Sequence, residues 1–236
     1  MRYQPIDNAL FVENRKKFSA QMKPNALAVF NSNDIYPVGA DSTMPFQQDR
    51  NIYYLSGVDQ EESILVLFPD APKKKHREVL FLKETNEHIA VWEGEKLDKD
   101  KALETSGIQT VYWLKDFHKI FHELMSQADT VYINTNEHYR ANHDTKTRED
   151  RFNAWLKENY PAHQVAKSNP ILQRLRSVKH QLELDTMQQA CNITEKAFRR
   201  ILKYTKPDVW EFELEAEILH EFIRNRSRGF AYTPII

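Results

Sequence analysis

Short apolar segments alternate with amphipathic ones along the first two thirds of the chain, and this alternation limits the possible folds more than any other feature. Apolar residues at helical spacing predict helices over residues 8–22, 117–124 and 148–159. Strands and helices that alternate to about residue 167 predict an α/β domain built around a mixed sheet. The apolar runs typical of strands occupy residues 26–30, 52–55, 63–68, 79–82, 88–92, 111–113 and 131–133.

The pattern changes after Pro170. From Leu182 to about Lys206, apolar residues recur at spacings of three, four or seven, which predicts one long amphipathic helix. A second helix of the same kind follows and ends near Gly229. Residues 230–236 predict an apolar strand. Because a natural C-terminus is usually polar, we expect the chain to continue beyond this strand.

The composition excludes several classes of protein. Lys and Arg (33) balance Asp and Glu (34) to a net charge of −1, so no overall field favours nucleic acid or an anionic membrane. Five glycines and no Walker-type or G-x-G-x-x-G loop argue against nucleotide-binding folds. The single cysteine, Cys191, excludes an internal disulfide framework. Without an apolar leader or a run of about 20 apolar residues, the sequence predicts a soluble cytoplasmic protein with no membrane partner.

Two consecutive motifs resemble a known family. Residues 44–58 read MPFQQDRNIYYLSGV, an aromatic-polar-polar run followed by an aromatic segment that ends in Ser-Gly. Residues 62–67 read ESILVL, which is typical of a buried strand. This order resembles the N-terminal domain of aminopeptidase P, the Xaa-Pro aminopeptidases of the creatinase/prolidase superfamily. The resemblance implies a creatinase-like mixed-sheet domain over residues 1–167.

The resemblance extends into residues 168–236, which look like the start of the family's "pita-bread" α+β catalytic domain, left incomplete. Arg174-Leu175-Arg176 and Glu183 are similar to the segment that leads into its first long helix, and residues 231–236 to its first strand. One position departs from the pattern. His180 stands where the family has a serine N-cap, and we expect the loss of that cap to weaken the helix start by about 1 kcal/mol.

The function that the resemblance implies is metal-dependent removal of the first residue from peptides with proline in second position. Two divalent cations, typically Mn²⁺, are held by two Asp, one His and two Glu, and they activate the attacking water. In family order all five ligands lie beyond Ile236. We therefore expect no catalytic residue and no metal ligand in this chain, no activity from it alone, and no bound metal. The implied partners are proline-containing peptides and further copies of the chain, as dimers or tetramers.

Three residues match peripheral positions of the family's site. Tyr232 matches a tyrosine that lines the active-site wall; its alternative role is that of an aromatic on a strand packed against a helix. Asp41 and Trp92 match loop positions that reach toward a neighbouring subunit's active site in tetrameric members. Their alternative roles are a turn aspartate and a half-buried indole. All three are predicted substrate-binding residues.

The sequence also contains features that suggest other functions. His122-Glu123 and His220-Glu221 begin H-E-x-x-H look-alikes, but Ser126 and Arg224 replace the second histidine, which excludes a zincin site. Prolidase or creatinase activity is the neighbouring option within the superfamily. The option from another class is a non-catalytic binding or oligomerisation module derived from the same fold.

Overall fold

The computed structural model describes residues 5–141 and 144–235. The chain forms two compact units, one of residues 7–178 and one of residues 179–235 with the short segment 5–6. The first unit extends to Val178, beyond residue 167, where the sequence predicts the domain boundary.

The first unit contains a six-stranded sheet with the order β4-β3-β2-β1-β5-β6. Strand β2 is antiparallel to both of its neighbours, with Val66 opposite Val29 of β1 and Val79 of β3. The pairs β1–β5, β5–β6 and β3–β4 are parallel. The predicted mixed sheet is thus confirmed. The strands are β1 Ala26–Asn31, β2 Ile64–Leu67, β3 Glu78–Leu82, β4 Thr110–Trp113, β5 Thr130–Ile133 and β6 Gln164–Lys167.

This arrangement gives every strand except β2 the same direction. The C-terminal ends of β1, β3, β4, β5 and β6 therefore meet at one edge of the sheet, which we call the carboxyl edge. The helices of this unit are α1 Ala9–Ser19, α2 Arg50–Ser56, α3 Glu87–Glu93, α4 Lys99–Ser106, α5 Phe117–Met125, α6 Arg148–Asn159 and α7 Asn169–Ser177.

Both faces of the sheet are covered. All six residues of β1 are buried, and alternate side chains enter opposite cores, as the pleat of a strand requires. Phe30 shares one core with Phe18 of α1, and Val29 shares the other with Phe121 of α5 and Leu156 of α6. A strand covered on both faces is apolar along its whole length, which explains why the sequence revealed β1 so clearly.

Two predicted strands are wrong, because residues 52–55 lie in α2 and residues 88–92 lie in α3. Their β-branched and aromatic residues favour strands, but the residues that flank them favour helices. Asp49 caps α2 by accepting hydrogen bonds from the backbone N–H groups of Asn51 (2.9 Å) and Ile52 (3.1 Å). Gly57, in the left-handed region at φ 69°, ends that helix. Asn86 caps α3 through the N–H of Ile89 at 2.9 Å.

The second unit consists of two helices, α8 Gln181–Tyr204 and α9 Glu211–Arg224, which confirms the two predicted amphipathic helices. They run antiparallel, because residues with higher numbers on α8 contact residues with lower numbers on α9. Lys196 Nζ lies 2.9 Å from Asn225 Oδ1, and Tyr204 Oη lies 3.3 Å from Glu213 Oε1. Arg200 pairs with Glu217 between these two contacts.

Two details of this unit differ from the sequence-based expectation. The start of α8 is capped after all: His180 Nδ1 accepts the N–H of Leu182 at 3.2 Å, and Glu183 Oε2 accepts the N–H of His180 at 2.8 Å. A histidine and a glutamate thus form the capping box that a serine was expected to supply. The predicted strand after Gly229 is also wrong for residues 230–235, which form turns and irregular structure; Ile236 lies outside the described residues.

Candidate functional site at the carboxyl edge

The described part of the chain contains no cluster of metal-binding side chains. Within residues 5–141 and 144–235, no group of three or more His, Cys, Asp or Glu side chains could hold a metal ion. Among the described residues, neither H-E look-alike belongs to such a group, and His122 Nδ1 lies 3.3 Å from the hydroxyl of Tyr160. The family's metal ligands remain a prediction about residues beyond this chain.

The carboxyl edge brings two of the three predicted site residues to the same side of the sheet. The segment 32–49 leaves this edge after β1 and carries Asp41, and the segment 83–98 leaves it after β3 and carries Trp92. Because β1 and β3 point the same way, both segments emerge together although 50 residues separate the two side chains in sequence. In α/β sheets this edge is the usual place for ligand binding.

Asp41 lies at the tip of a small hairpin. An isolated β-bridge joins Pro37 to Thr43, and the carbonyl of Ser42 accepts the N–H of Val38 at 2.8 Å. The side chains of Asp41, Val38 and Met44 are exposed, the last two by 63% and 60%. The hairpin therefore presents a carboxylate flanked by apolar groups to solvent.

Trp92 lies near the end of α3 with 81% of its surface exposed, so the half-buried indole considered from the sequence is wrong. Lys83 anchors the end of this helix by ion pairs, because its Nζ lies 2.9 Å from Glu93 Oε2 and 3.2 Å from Glu62 Oε2. These two carboxylates raise the pKa of Lys83, with hydrogen bonding to Glu93 as the main cause. An anchored helix that displays a bare indole is suited to contact another molecule.

A network of polar side chains holds this edge together, and sequence reasoning missed it. Asn134, directly after β5, accepts a hydrogen bond from Asn51 Nδ2 at 2.8 Å and donates to Asp49 Oδ1 at 3.3 Å. Arg176 at the end of α7 donates to Asn51 Oδ1 at 2.9 Å. Burial raises the pKa of the Asp49 carboxyl, and the hydrogen bonds from Ile52 and Asn51 oppose this rise. The network joins α2, β5 and α7.

The polar run that precedes Asp49 also has a structural role. Gln48 Nε2 donates to the carbonyls of Val58 (3.1 Å) and Gln60 (2.9 Å), and Gln48 Oε1 accepts the N–H of Asp49 at 2.8 Å. One amide thus closes the loop between α2 and β2. This explains why a glutamine belongs at this position of the motif.

Tyr232 lies in the second unit, with 82% of its surface exposed. Residues 230–235 form no strand, so the alternative of a strand aromatic packed against a helix is wrong. Pro234, two residues further on, lines a shallow groove of about 550 Å³ together with Trp210 and Phe212. The proposed pocket role of Tyr232 stays a prediction.

Comparisons with known proteins show which families this chain resembles. The family model for "Aminopeptidase P, N-terminal domain" matches residues 11–132, more than half of the chain. The model for "Metallopeptidase family M24" matches residues 185–236. No helix within the described ranges has both the length and the apolar character that crossing a membrane requires.

Similar curated proteins include the Xaa-Pro aminopeptidases of Haemophilus influenzae (26% identical, 96% of this chain, 50% of theirs) and Escherichia coli (26%, 98% and 52%). Among solved structures, Pseudomonas aeruginosa aminopeptidase PepP superposes with a TM-score of 0.78 at 25% identity, over 94% of this chain and 50% of that one. Aminopeptidase P from E. coli gives 0.76 at 25% identity, with the same coverage. The chain spans about half the length of the curated relatives it matches.

Proposed function

Since the chain belongs to the aminopeptidase P family, we propose that it is part of a metal-dependent Xaa-Pro aminopeptidase. Such an enzyme removes the N-terminal residue from peptides with proline in second position. The observation that carries this proposal is the order of the two family matches, the N-terminal domain at residues 11–132 and the metallopeptidase at 185–236. Both matches fall on elements of the appropriate kind, a mixed sheet and a pair of long helices.

The metal is proposed for the whole enzyme as two Mn²⁺ ions or similar divalent cations. The described residues of this chain do not fit such a centre, because they supply no cluster of ligating side chains. We therefore assign no step of metal chemistry to this chain, and we expect the chain alone to be inactive.

The role proposed for this chain is to shape the approach to the site. Asp41 and Trp92 would contact peptide or a neighbouring copy from the carboxyl edge, and Tyr232 would line the wall of the pocket. The exposure of Trp92 on an anchored helix supports this role. Assembly as a dimer or tetramer and a cytoplasmic location complete the proposal. The single cysteine, which is exposed, is compatible with a reducing compartment.

The first test is to read the coding DNA beyond the Ile236 codon and to assay the product. We expect the frame to continue with Asp, Asp, His, Glu and Glu in the family's order. We also expect the full-length protein, supplied with Mn²⁺, to release the first residue of an Xaa-Pro-Xaa tripeptide, while residues 1–236 alone release none. Metal-dependent cleavage by the 1–236 chain would refute the assignment of the chemistry to residues beyond Ile236.

A pair of variants in the full-length protein tests the contribution of the edge. Trp92→Ala should lower kcat/KM about tenfold, which corresponds to the loss of about 1.4 kcal/mol of transition-state binding. Val91→Ala is the matched control, since Val91 is the neighbouring residue on the same helix and is also exposed, by 77%. Equal activity of the two variants would remove Trp92 from the site.

The alternative function is a non-catalytic binding or oligomerisation module. The exposed indole of Trp92 on an anchored helix, which is suited to contact another molecule, is the observation that favours it. Two results would support this alternative. One is a stop codon directly after Ile236, and the other is a full-length protein that oligomerises through the carboxyl edge but has no peptidase activity.

A further inference from the structure

A cleft of about 320 Å³ opens between α5 and α6, over the end of β1 and the start of β2. It lies within the first unit and does not include Asp41 or Trp92. Its volume falls in the range of sites that take a small molecule. The lining residues that matter here are Asn31, Phe117, His118, Arg148, Arg151 and Trp155.

The cleft contains a cation that lacks a carboxylate partner. Arg148 Nη1 donates to Ser32 Oγ at 3.0 Å, and among the described residues no carboxylate oxygen lies within 4 Å of this guanidinium. Burial lowers the pKa of Arg148, against the raising effect of nearby carboxylates. Arg151, one turn along the same helix, is different because it is paired with Asp34 at 2.6 Å. Arg148 is therefore the cationic group of the cleft that can bind an anionic ligand.

The carboxylates around Arg148 are already engaged. Asp34 Oδ2 also accepts the backbone N–H of Arg148 at 2.7 Å, and Glu62 lies 3.2 Å from Lys83 Nζ. The carboxyl of Glu149 is buried and accepts the backbone N–H of Asn31 at 3.1 Å, and burial raises its pKa well above the ordinary value. Asp34 and Glu62 thus have cationic partners of their own, Arg151 and Lys83, and do not occupy the Arg148 guanidinium.

Asn31 supplies a second donor at the floor of the cleft, where only 2% of its surface is exposed. Its backbone N–H donates to Glu149 Oε2 at 3.1 Å. Its side-chain Nδ2 is close enough to Glu149 to lower the pKa of that carboxyl, but it makes no hydrogen bond of good geometry within the described residues. An amide nitrogen carries two N–H groups, so a donor is available to a ligand.

The walls of the cleft are aromatic. Phe117 is buried, and the ring of His118 meets that of Trp155 edge-on with 5.1 Å between their centroids. A flat apolar group could pack against these rings while its charged end reached Arg148. The fork of a guanidinium matches a carboxylate with two parallel hydrogen bonds.

From these contacts we propose that the cleft binds a small carboxylate that carries a flat aromatic body. The binding does not depend on the metal chemistry proposed above, and it belongs to residues 7–178 alone. Nothing in the peptidase proposal requires it, so either can fail without the other.

The test uses phenylacetate as the probe and phenylacetamide as its neutral analogue, each titrated into the 1–236 chain. The readout is the indole N–H signal of Trp155 in a ¹⁵N NMR spectrum, assigned with Trp155→Phe. We expect a saturable shift with phenylacetate at millimolar concentration and a much smaller one with phenylacetamide. Arg148→Met should weaken binding about tenfold or more. Arg174→Met is the matched control, since Arg174 lies on α7 and bonds to Gln21 outside the cleft.

Three results would overturn the proposal: no saturable shift with phenylacetate, equal shifts with the two compounds, or unchanged affinity in Arg148→Met. Near-UV circular dichroism checks that the variant is folded. If it is not, the comparison of phenylacetate with phenylacetamide on the unaltered chain decides by itself, because both compounds have the same shape and only one is charged.

Discussion

The two units of this chain differ in how they cover apolar surface. In residues 7–178 a sheet is sandwiched between helices, and Phe30, Leu65 and Phe81 have no exposed surface. In residues 179–235 two helices pack on each other, and Ala197 is the one buried residue among the described positions of α8 and α9. The large apolar residues that stay exposed there are Leu184, Met187, Phe198, Leu202, Trp210, Phe212, Ile223, Tyr232 and Ile235.

An amphipathic pattern therefore predicts a helix, but it does not predict whether the apolar face of that helix is buried in a core. Two helices can bury only part of each other's apolar stripe, whereas a sheet offers two faces to cover. The polar contacts that join α8 to α9 include the ion pairs of Arg200 with Glu217 and Glu221. Because partly exposed ion pairs stabilise weakly, the second unit should open more readily than the first.

The strongest test of this comparison removes a large side chain from the first unit. Phe30→Ala should lower the free energy of unfolding by about 3–5 kcal/mol, since Phe30 is fully buried and its ring lies 5.5 Å from that of Phe18. Urea unfolding followed by circular dichroism measures this change. A loss below about 1 kcal/mol would mean that the sheet core is not the main source of stability.

The same contrast explains which parts of the fold the sequence predicts. Strands β1, β2 and β3 were predicted because burial on both faces leaves an unbroken apolar run. The aromatic and β-branched residues of α2 and α3 predict strands, although both segments are helices. The caps Asp49 and Asn86 were a signal that could have corrected this.

The candidate site was predictable only where topology is regular. Parallel strands bring Asp41 and Trp92 to one edge, and a mixed α/β pattern already implies such an edge. The Asp49–Asn51–Asn134–Arg176 network was not predictable, because its hydrogen bonds span 83 and 125 residues of sequence. No local pattern marks Asn134 or Arg176 as partners of Asn51. Only the folded sheet brings them together.

A second test concerns a buried carboxyl group that lowers the stability of the first unit. Burial raises the pKa of Glu149 above 4.5, and its Oε1 has no hydrogen-bond partner in the described structure. The folded state therefore holds this proton more tightly than the unfolded state. The resulting contribution to stability is complete below pH 4.5 and is lost as the pH rises through the folded-state pKa. Glu149→Gln should remove this loss and stabilise the protein at pH 8 by about 1–3 kcal/mol.

Urea unfolding at pH 4 and pH 8 measures this difference. Glu123→Gln is the control of opposite sign, because a hydrogen bond from Lys73 lowers the pKa of the exposed Glu123. Stability from that pair is present above the ordinary pKa and is lost as the pH falls. If Glu149→Gln and the original chain have the same free energy of unfolding at pH 8, the buried carboxyl does not destabilise the folded state.

The smallest expected effect comes from repeating the first substitution in the second unit. Phe198 on α8 is 59% exposed, so Phe198→Ala should change the free energy of unfolding by no more than about 0.5 kcal/mol. Alanine is also the better helix former, which offsets part of any lost contact. The same urea experiment, run at two protein concentrations, measures the change. A loss as large as that of Phe30→Ala, and dependent on concentration, would mean that a second copy covers the apolar face of α8 in solution. The difference in apolar burial between the two units would then hold for the single chain but not for its oligomer.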